Sequence, residues 1–202
     1  SLARALGWQA FQYGHLPVIE KIEEIKDIDS DTGEEKTILS RRKLSKRKDP
    51  EANLKFYEEE GYPPDALVSY LLNIANSSFE DWRKRSPDKH WKEFPIDLKK
   101  FGTGALVDLK KISNISKTVI ANLSLDELYR QVMDWAENYD VALHTVLVKE
   151  EQLTRSALGA ERNAKRISTF KDVRANIGPF FEEIFNELQQ FNLPLQICLH
   201  DT

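Results

Sequence analysis

The residues best suited to chemistry are gathered in Arg41-Arg42-Lys43-Leu44-Ser45-Lys46-Arg47-Lys48, where six of eight positions are cationic and one is a small hydroxyl. Lysine presents a compact charge on a long flexible stem, serine adds a short donor, and arginine can grip two phosphate oxygens at once. A loop of this composition suits polyphosphate and can follow negative charge as it moves during phosphoryl or nucleotidyl transfer. Basic runs of this length also serve as nuclear-localisation signals, nucleic-acid patches or solvated loops, so residue order and context must decide.

The order is informative. Lys43-Leu44-Ser45-Lys46-Arg47 resembles the second signature of class I aminoacyl-tRNA synthetases, KMSKS, in the KLSKR form found in glutamyl-tRNA synthetases. Upstream, Leu6-Gly7-Trp8 and His15-Leu16-Pro17-Val18-Ile19 are similar to the segments that lead into this loop in that family. Downstream, Tyr57 to Leu67, Tyr70-Leu71-Leu72, Gly104 to Ile112, and Glu161-Arg162 with Lys165-Arg166 follow in family order. The resemblance covers nearly the whole chain.

It implies a mainly α fold: the end of a class I catalytic core with short β elements, then a stem-contact region and a helical bundle of the anticodon-binding type. The corresponding divisions are 1–48, 49–122 and 123–202, the last being partial. The implied activity of the full-length protein is glutamate–tRNA ligation, in which ATP activates glutamate to an enzyme-bound adenylate before transfer to tRNA. Lys46 is implied to stabilise the pyrophosphate leaving group, Lys43 to support ATP binding and loop closure, and Ser45 and Arg47 to assist. Mg2+ is expected with the ATP and no protein metal site is implied. The partners are tRNA(Glu), with tRNA(Gln) as a further possibility, and L-glutamate held by a missing N-terminal part. The family's HIGH motif is not found, so this chain alone is expected to be inactive. A cytoplasmic monomer is expected.

Two other readings stand beside it. A glutaminyl-tRNA synthetase relative would carry a β-barrel anticodon region, which the helical pattern from Ser124 to Phe191 disfavours. A helical interaction or RNA-binding module without catalytic role would use the lysine loop as a solvated linker. Salt separates phosphate contacts, which weaken steeply, from apolar docking, which does not.

Bulk properties narrow the field. The chain has 202 residues, 41% of them hydrophobic and 31% charged, and a net charge of -4. No apolar run approaches the roughly 20 residues needed to span a bilayer. Cys198 is the only cysteine, which excludes an internal disulfide, and four scattered histidines do not suggest a zinc cluster. Any affinity for nucleic acid must therefore lie in local patches. Candidates are Arg83, Lys84 and Arg85 beside Trp82 and Trp91; Lys110 and Lys111, unless Lys111 pairs with Asp108 one turn away; and Arg162, Lys165 and Arg166.

The elements that must position these residues are predicted as follows. Leu2 to Trp8 is helical, and Leu16-Pro17-Val18-Ile19 is a short strand. Glu20 to Lys36 carries eight acids against three lysines and resembles an insertion, with a hairpin turning at Asp31 to Gly33. Asp29 to Gly33 fails as a calcium loop, because Glu34 and Ser40 stand where glycine and glutamate are required. Pro50 opens a helix that stops at Gly61, and Pro63-Pro64 precedes another bearing Ala66, Leu67, Tyr70, Leu71 and Ile74 on one face. Ser77 to Glu80 and Ser124 to Glu127 have the form of capping boxes. Helices are expected over Ala105 to Ile115, after Ser124 through Tyr139, and over Val141 to Lys149, Gln152 to Lys165 and Pro179 to Phe191. Leu193 to His200 is either a strand or a final helical turn.

Overall fold

Isoleucines recur at positions 19, 22 and 25, every third residue, which in an extended chain sends successive side chains to opposite faces. In the computed structural model the stretch is nevertheless a strand, because its partner is supplied from within the chain. The structure describes residues 2–9, 13–28, 35–102, 104–163 and 165–190, with side chains for all of these except 28, 36, 162, 163 and 187–190. The predicted turn at Asp31 to Gly33 and the segment Leu193 to His200 lie outside them.

The elements run α1 (Leu2–Ala5), β1 (Ile19–Ile28), β2 (Glu35–Lys43), α2 (Leu54–Glu60), α3 (Pro64–Ala75), α4 (Phe79–Arg85), β3 (Ala105–Leu106), α5 (Leu109–Asn122), α6 (Leu125–Tyr139), α7 (Val141–Lys149), α8 (Glu151–Asn163), α9 (Asp172–Ile177) and α10 (Glu182–Gln190). Short 3-10 turns at Pro50–Ala52, Trp91–Glu93, Leu98–Lys100 and Gly178–Phe180 join them. Among the described residues the fold is mainly α with one small sheet of order β2-β1-β3. Two compact units are present, Ser1–Asn53 with Leu67–Lys111 and Leu54–Ala66 with Ile112–Thr202.

In the first unit β1 and β2 pair antiparallel from Glu20↔Lys43 to Ile28↔Glu35, so Glu20 to Ile28 of the acidic stretch lies in one strand of the pair and Glu35 and Lys36 in the other. The strand predicted at Leu16–Ile19 begins only at Ile19. The helix expected from Ala105 starts four residues late: the N–H groups of Ala105 and Val107 donate to the carbonyls of Val18 and Glu20, which draws Ala105–Leu106 into the sheet parallel to β1. The Asp108 N–H then donates to the buried Tyr70 hydroxyl at 2.8 Å.

The box expected at Ser77 to Glu80 does not form. Ser78, the residue before α4, sits in the helical region (φ -92, ψ -6), accepts no α4 amide through its side chain, and donates its hydroxyl to Asn76 Oδ1 at 2.7 Å. Buried Asn76 also donates to the Asp97 carbonyl at 2.9 Å and fixes the loop that follows α4.

The second unit is built on the α6 stripe. Leu128, Val132 and Ala136 are fully buried against Leu143 and Leu147 of α7, Leu158 of α8, and Val173 and Ile177 of α9. Burying each such aliphatic side chain contributes roughly 1.5–3 kcal/mol. Ser124 accepts the Glu127 N–H at 3.2 Å, the expected cap, while the Glu127 carboxylate turns to Arg130 and Gln131. The Trp135 indole donates to the carbonyls of Glu58 and Glu59, at 3.1 and 3.3 Å, which satisfies acceptors left open at the end of α2.

Candidate functional site

β2 delivers the lysine loop. Lys43 is the last residue of the strand, the Leu44 N–H donates to the Ile19 carbonyl at 3.1 Å, and Lys46 to Lys48 form a turn. The turn closes on Ser45, whose carbonyl accepts N–H groups from Lys48 at 3.0 Å and Asp49 at 2.8 Å. Lys43, Lys46, Arg47 and Lys48 are all exposed, and none forms an ion pair with a described residue. Ser45 is half-buried.

Arg42 behaves differently from the other cations of the run. Its guanidinium donates to both Asp49 carboxylate oxygens, at 2.6 and 2.8 Å, and to Glu23 of the neighbouring strand. Asp49 is 2% exposed and also accepts the Ser45 backbone N–H at 2.9 Å. These bonds, first from Arg42 and then from Ser45, hold its carboxyl well below the usual carboxylate range. The same carboxylates push the Arg42 guanidinium further up, Asp49 foremost. Lys21 of β1 reaches Glu51 at 2.5 Å and Asp49 at 3.5 Å, and its bond to Glu51 raises its pKa. The lysine loop thus has an ionic base of five residues and a cationic rim open to solvent.

The sequence reading did not single out Asp49, Glu51, Lys21 or Glu23. Only Asp49 carries a local signal, a short acid one step before proline and four residues after Ser45. Its expected use would be to cap the turn opened by Pro50, yet its side chain makes no such bond.

The proposed RNA contacts divide by their partners. In the last turn of α4, Arg83 lies 5.0 Å over the Trp82 ring and donates to the carbonyls of Pro87 and Lys89, which commits it to holding the following loop. Arg85 donates to the Asp81 carbonyl at 3.1 Å. Trp82 packs against Phe79 and Phe94, with centroids 5.7 and 5.3 Å apart, and is an anchor of this unit. Trp91 lies beside His90 and under the Lys92 ammonium, within a small capping box of His90 and Glu93.

Glu80 brings Lys84 and Lys111 together, at 3.0 and 3.4 Å. Asp108 does not pair with the Lys111 ammonium. It accepts the Lys111 backbone N–H at 2.9 Å, because at the start of α5 an unsatisfied amide is nearer than a side chain one turn away. Lys110 is exposed and has no ion pair among the described residues. Both lysines occupy the first helical turn, where the helix dipole disfavours cations.

Arg166 pairs with buried Glu161 at 3.2 Å. Lys165, just past the end of α8, is exposed and adopts a left-handed backbone with φ 54. The Arg162 side chain lies outside the described residues.

No protein-family model matches the chain. Curated proteins do. The glutamate–tRNA ligase of Sorangium cellulosum (strain So ce56) is 41% identical over 198 residues, covering 96% of this chain and 35% of that protein. Over almost its whole length the chain is similar to glutamate–tRNA ligases. The ligase of Clostridium perfringens (strain 13 / Type A) is 34% identical over 187 residues, 90% of this chain and 32% of that protein. That of Clostridium beijerinckii (strain ATCC 51743 / NCIMB 8052) is 33% identical over 205 residues, 98% and 34% respectively. The chain therefore spans about a third of the length of the glutamate–tRNA ligases it matches. Among the described residues, no helix is long and apolar enough to cross a membrane.

Proposed function

We propose that this chain supplies the nucleotide loop and RNA-contacting helices of a glutamate–tRNA ligase, which joins glutamate to tRNA through glutamyl-adenylate at the expense of ATP. The observation that carries this reading is the contrast within one basic run. Arg42 is held by carboxylates, whereas Lys43, Lys46, Arg47 and Lys48 project from a closed turn with no described anion to neutralise them. Exposed cations on a fixed base can meet phosphate oxygens as charge develops on them.

Lys46 stabilises the departing pyrophosphate, Lys43 supports ATP binding, and Ser45 and Arg47 assist. Mg2+ arrives on the phosphates of the nucleotide. Residues 1–48 serve the catalytic core, 49–122 the tRNA stem and 123–202 the anticodon side. The tRNA is tRNA(Glu), and tRNA(Gln) is a second acceptor to be tested. Lys110 and Lys165, exposed and without described ion pairs, are the foremost candidates for phosphate contact. The protein works in the cytoplasm as a monomer.

The test is ATP–pyrophosphate exchange by the full-length protein with glutamate and tRNA. A cation that meets charge developing in the transition state can be worth about 100-fold or more in rate. Lys46→Ala should lower the exchange rate by that order while changing the KM for ATP far less. Equal losses in both would place Lys46 in ground-state binding, and no loss would remove it from the site.

A further inference from the structure

Lys21 of β1 and Arg42 of β2 stand directly opposite each other in the hairpin register. Like charges in that position destabilise a strand pair. The Asp49 carboxylate meets both cations, Arg42 at 2.6 and 2.8 Å and Lys21 at 3.5 Å. It also accepts the Ser45 N–H at 2.9 Å, at the residue from which the loop departs. One buried anion therefore joins two strands to the first residue of the turn that presents Lys46. Glu23 on Arg42 and Glu51 on Lys21 complete the network, so every charge in it has a partner.

Resting on the nucleotide-loop reading above, we propose that Asp49 is the positioning residue of the lysine loop, acting on the reaction through the placement of Lys46. The Lys46 side chain is long and flexible, so the region its ammonium sweeps is set by where its Cα is held. Asp49 holds the residue immediately before it from a buried position and, among the described residues, pairs with Arg42 and Lys21 and not with the exposed cations of the rim. It also supplies the Asp49 N–H to the Ser45 carbonyl at 2.8 Å, so Ser45 is held through both its backbone N–H and its carbonyl. Arg42 is required as the cation that fixes the carboxylate in plane, a two-point grip that lysine cannot reproduce.

The experiment compares Asp49→Ala, Arg42→Lys, Lys46→Ala and the Asp49→Ala/Lys46→Ala pair in the full-length protein. The readouts are ATP–pyrophosphate exchange, with rate and KM resolved, and the thermal unfolding midpoint. Misplacement of a reacting group by about 1 Å can cost about 100-fold. Asp49→Ala should lower the maximal exchange rate by about 10- to 100-fold, on that basis, and shift the KM for ATP by less than about threefold. Arg42→Lys should fall between it and the unaltered protein. The double variant should be no slower than Lys46→Ala alone, because the first change acts through the second residue.

A double variant slowed by the product of the two single effects overturns the inference. If Asp49→Ala does not fold, Arg42→Lys decides, and an unchanged rate there overturns it. An unchanged rate in folded Asp49→Ala beside a slowed Lys46→Ala overturns this inference alone, whereas an unchanged Lys46→Ala overturns the nucleotide-loop reading with it.

Discussion

Arg42 and Asp49 meet through two N–H···O bonds of 2.6 and 2.8 Å, which brings a strand-end arginine onto an acid lying beyond the loop it precedes. Because the Asp49 pKa is lowered by these bonds, the stabilisation is present above the ordinary carboxylate range and is lost only as pH falls below it. Protection of the Ser45 amide against hydrogen exchange should therefore stay constant from pH 8 down to about 4, after correction for intrinsic exchange, near the unperturbed carboxylate value. Asp49→Ala should abolish that protection at every pH in the range.

Glu80 shares itself between Lys84 and Lys111, while Lys110 has no ion pair among the described residues. A lysine already paired releases less on meeting phosphate. For tRNA binding measured by gel shift over a salt series, Lys110→Ala should reduce the slope of log K against log salt by about 0.7–0.9. Lys84→Ala should change it by less than half as much, because the Lys84 ammonium is already neutralised by Glu80. Equal slopes for the two variants would remove Lys110 from the interface.

Gly61 ends α2 with φ +77, and its carbonyl accepts the Phe170 N–H at 2.8 Å. A Cβ at this position would stand 2.8 Å from the Phe170 nitrogen. Gly61→Ala should therefore destabilise the protein by about 1–3 kcal/mol, through backbone strain and the close approach together. Chemical denaturation of this chain measures it, and a change below about 0.5 kcal/mol would contradict the geometry.

Glu127 is pulled down to about 2, first by its bond to Arg130 and next by Gln131. A lowered carboxylate stabilises above its unfolded value and loses that contribution as pH falls through its folded value. The unfolding midpoint of Glu127→Gln should lie below that of the unaltered chain at pH 6, and the gap should close between pH 4.5 and about 2. A gap independent of pH would assign the effect to packing.

The helical half of the chain was legible because its information is local. Leu125 to Tyr139 carries an apolar stripe at helical spacing behind a serine cap, and the helix expected over Val141 to Lys149 forms over those residues. The KLSKR loop was legible as an ordered string of residue types that no folding is needed to read. β3 was not, because Ala105–Leu106 is a strand only where the carbonyls of Val18 and Glu20 are presented to it. The capping box over Ser77 to Glu80 failed for the converse reason, since the residue that precedes α4, Ser78, is tied through its N–H and hydroxyl to Asn76.

What the amino-acid order determined by itself is the likeness to glutamate–tRNA ligases and the amphipathic helices of the second half, properties of near neighbours in the chain. Only the tertiary structure decided which cation of the run is consumed and which are offered. That choice depends on strand register, which sets Lys21 opposite Arg42, and on burial of Asp49 between them. Electrostatic partnership of this kind is fixed by distance in space, and a sequence records distance only along the chain.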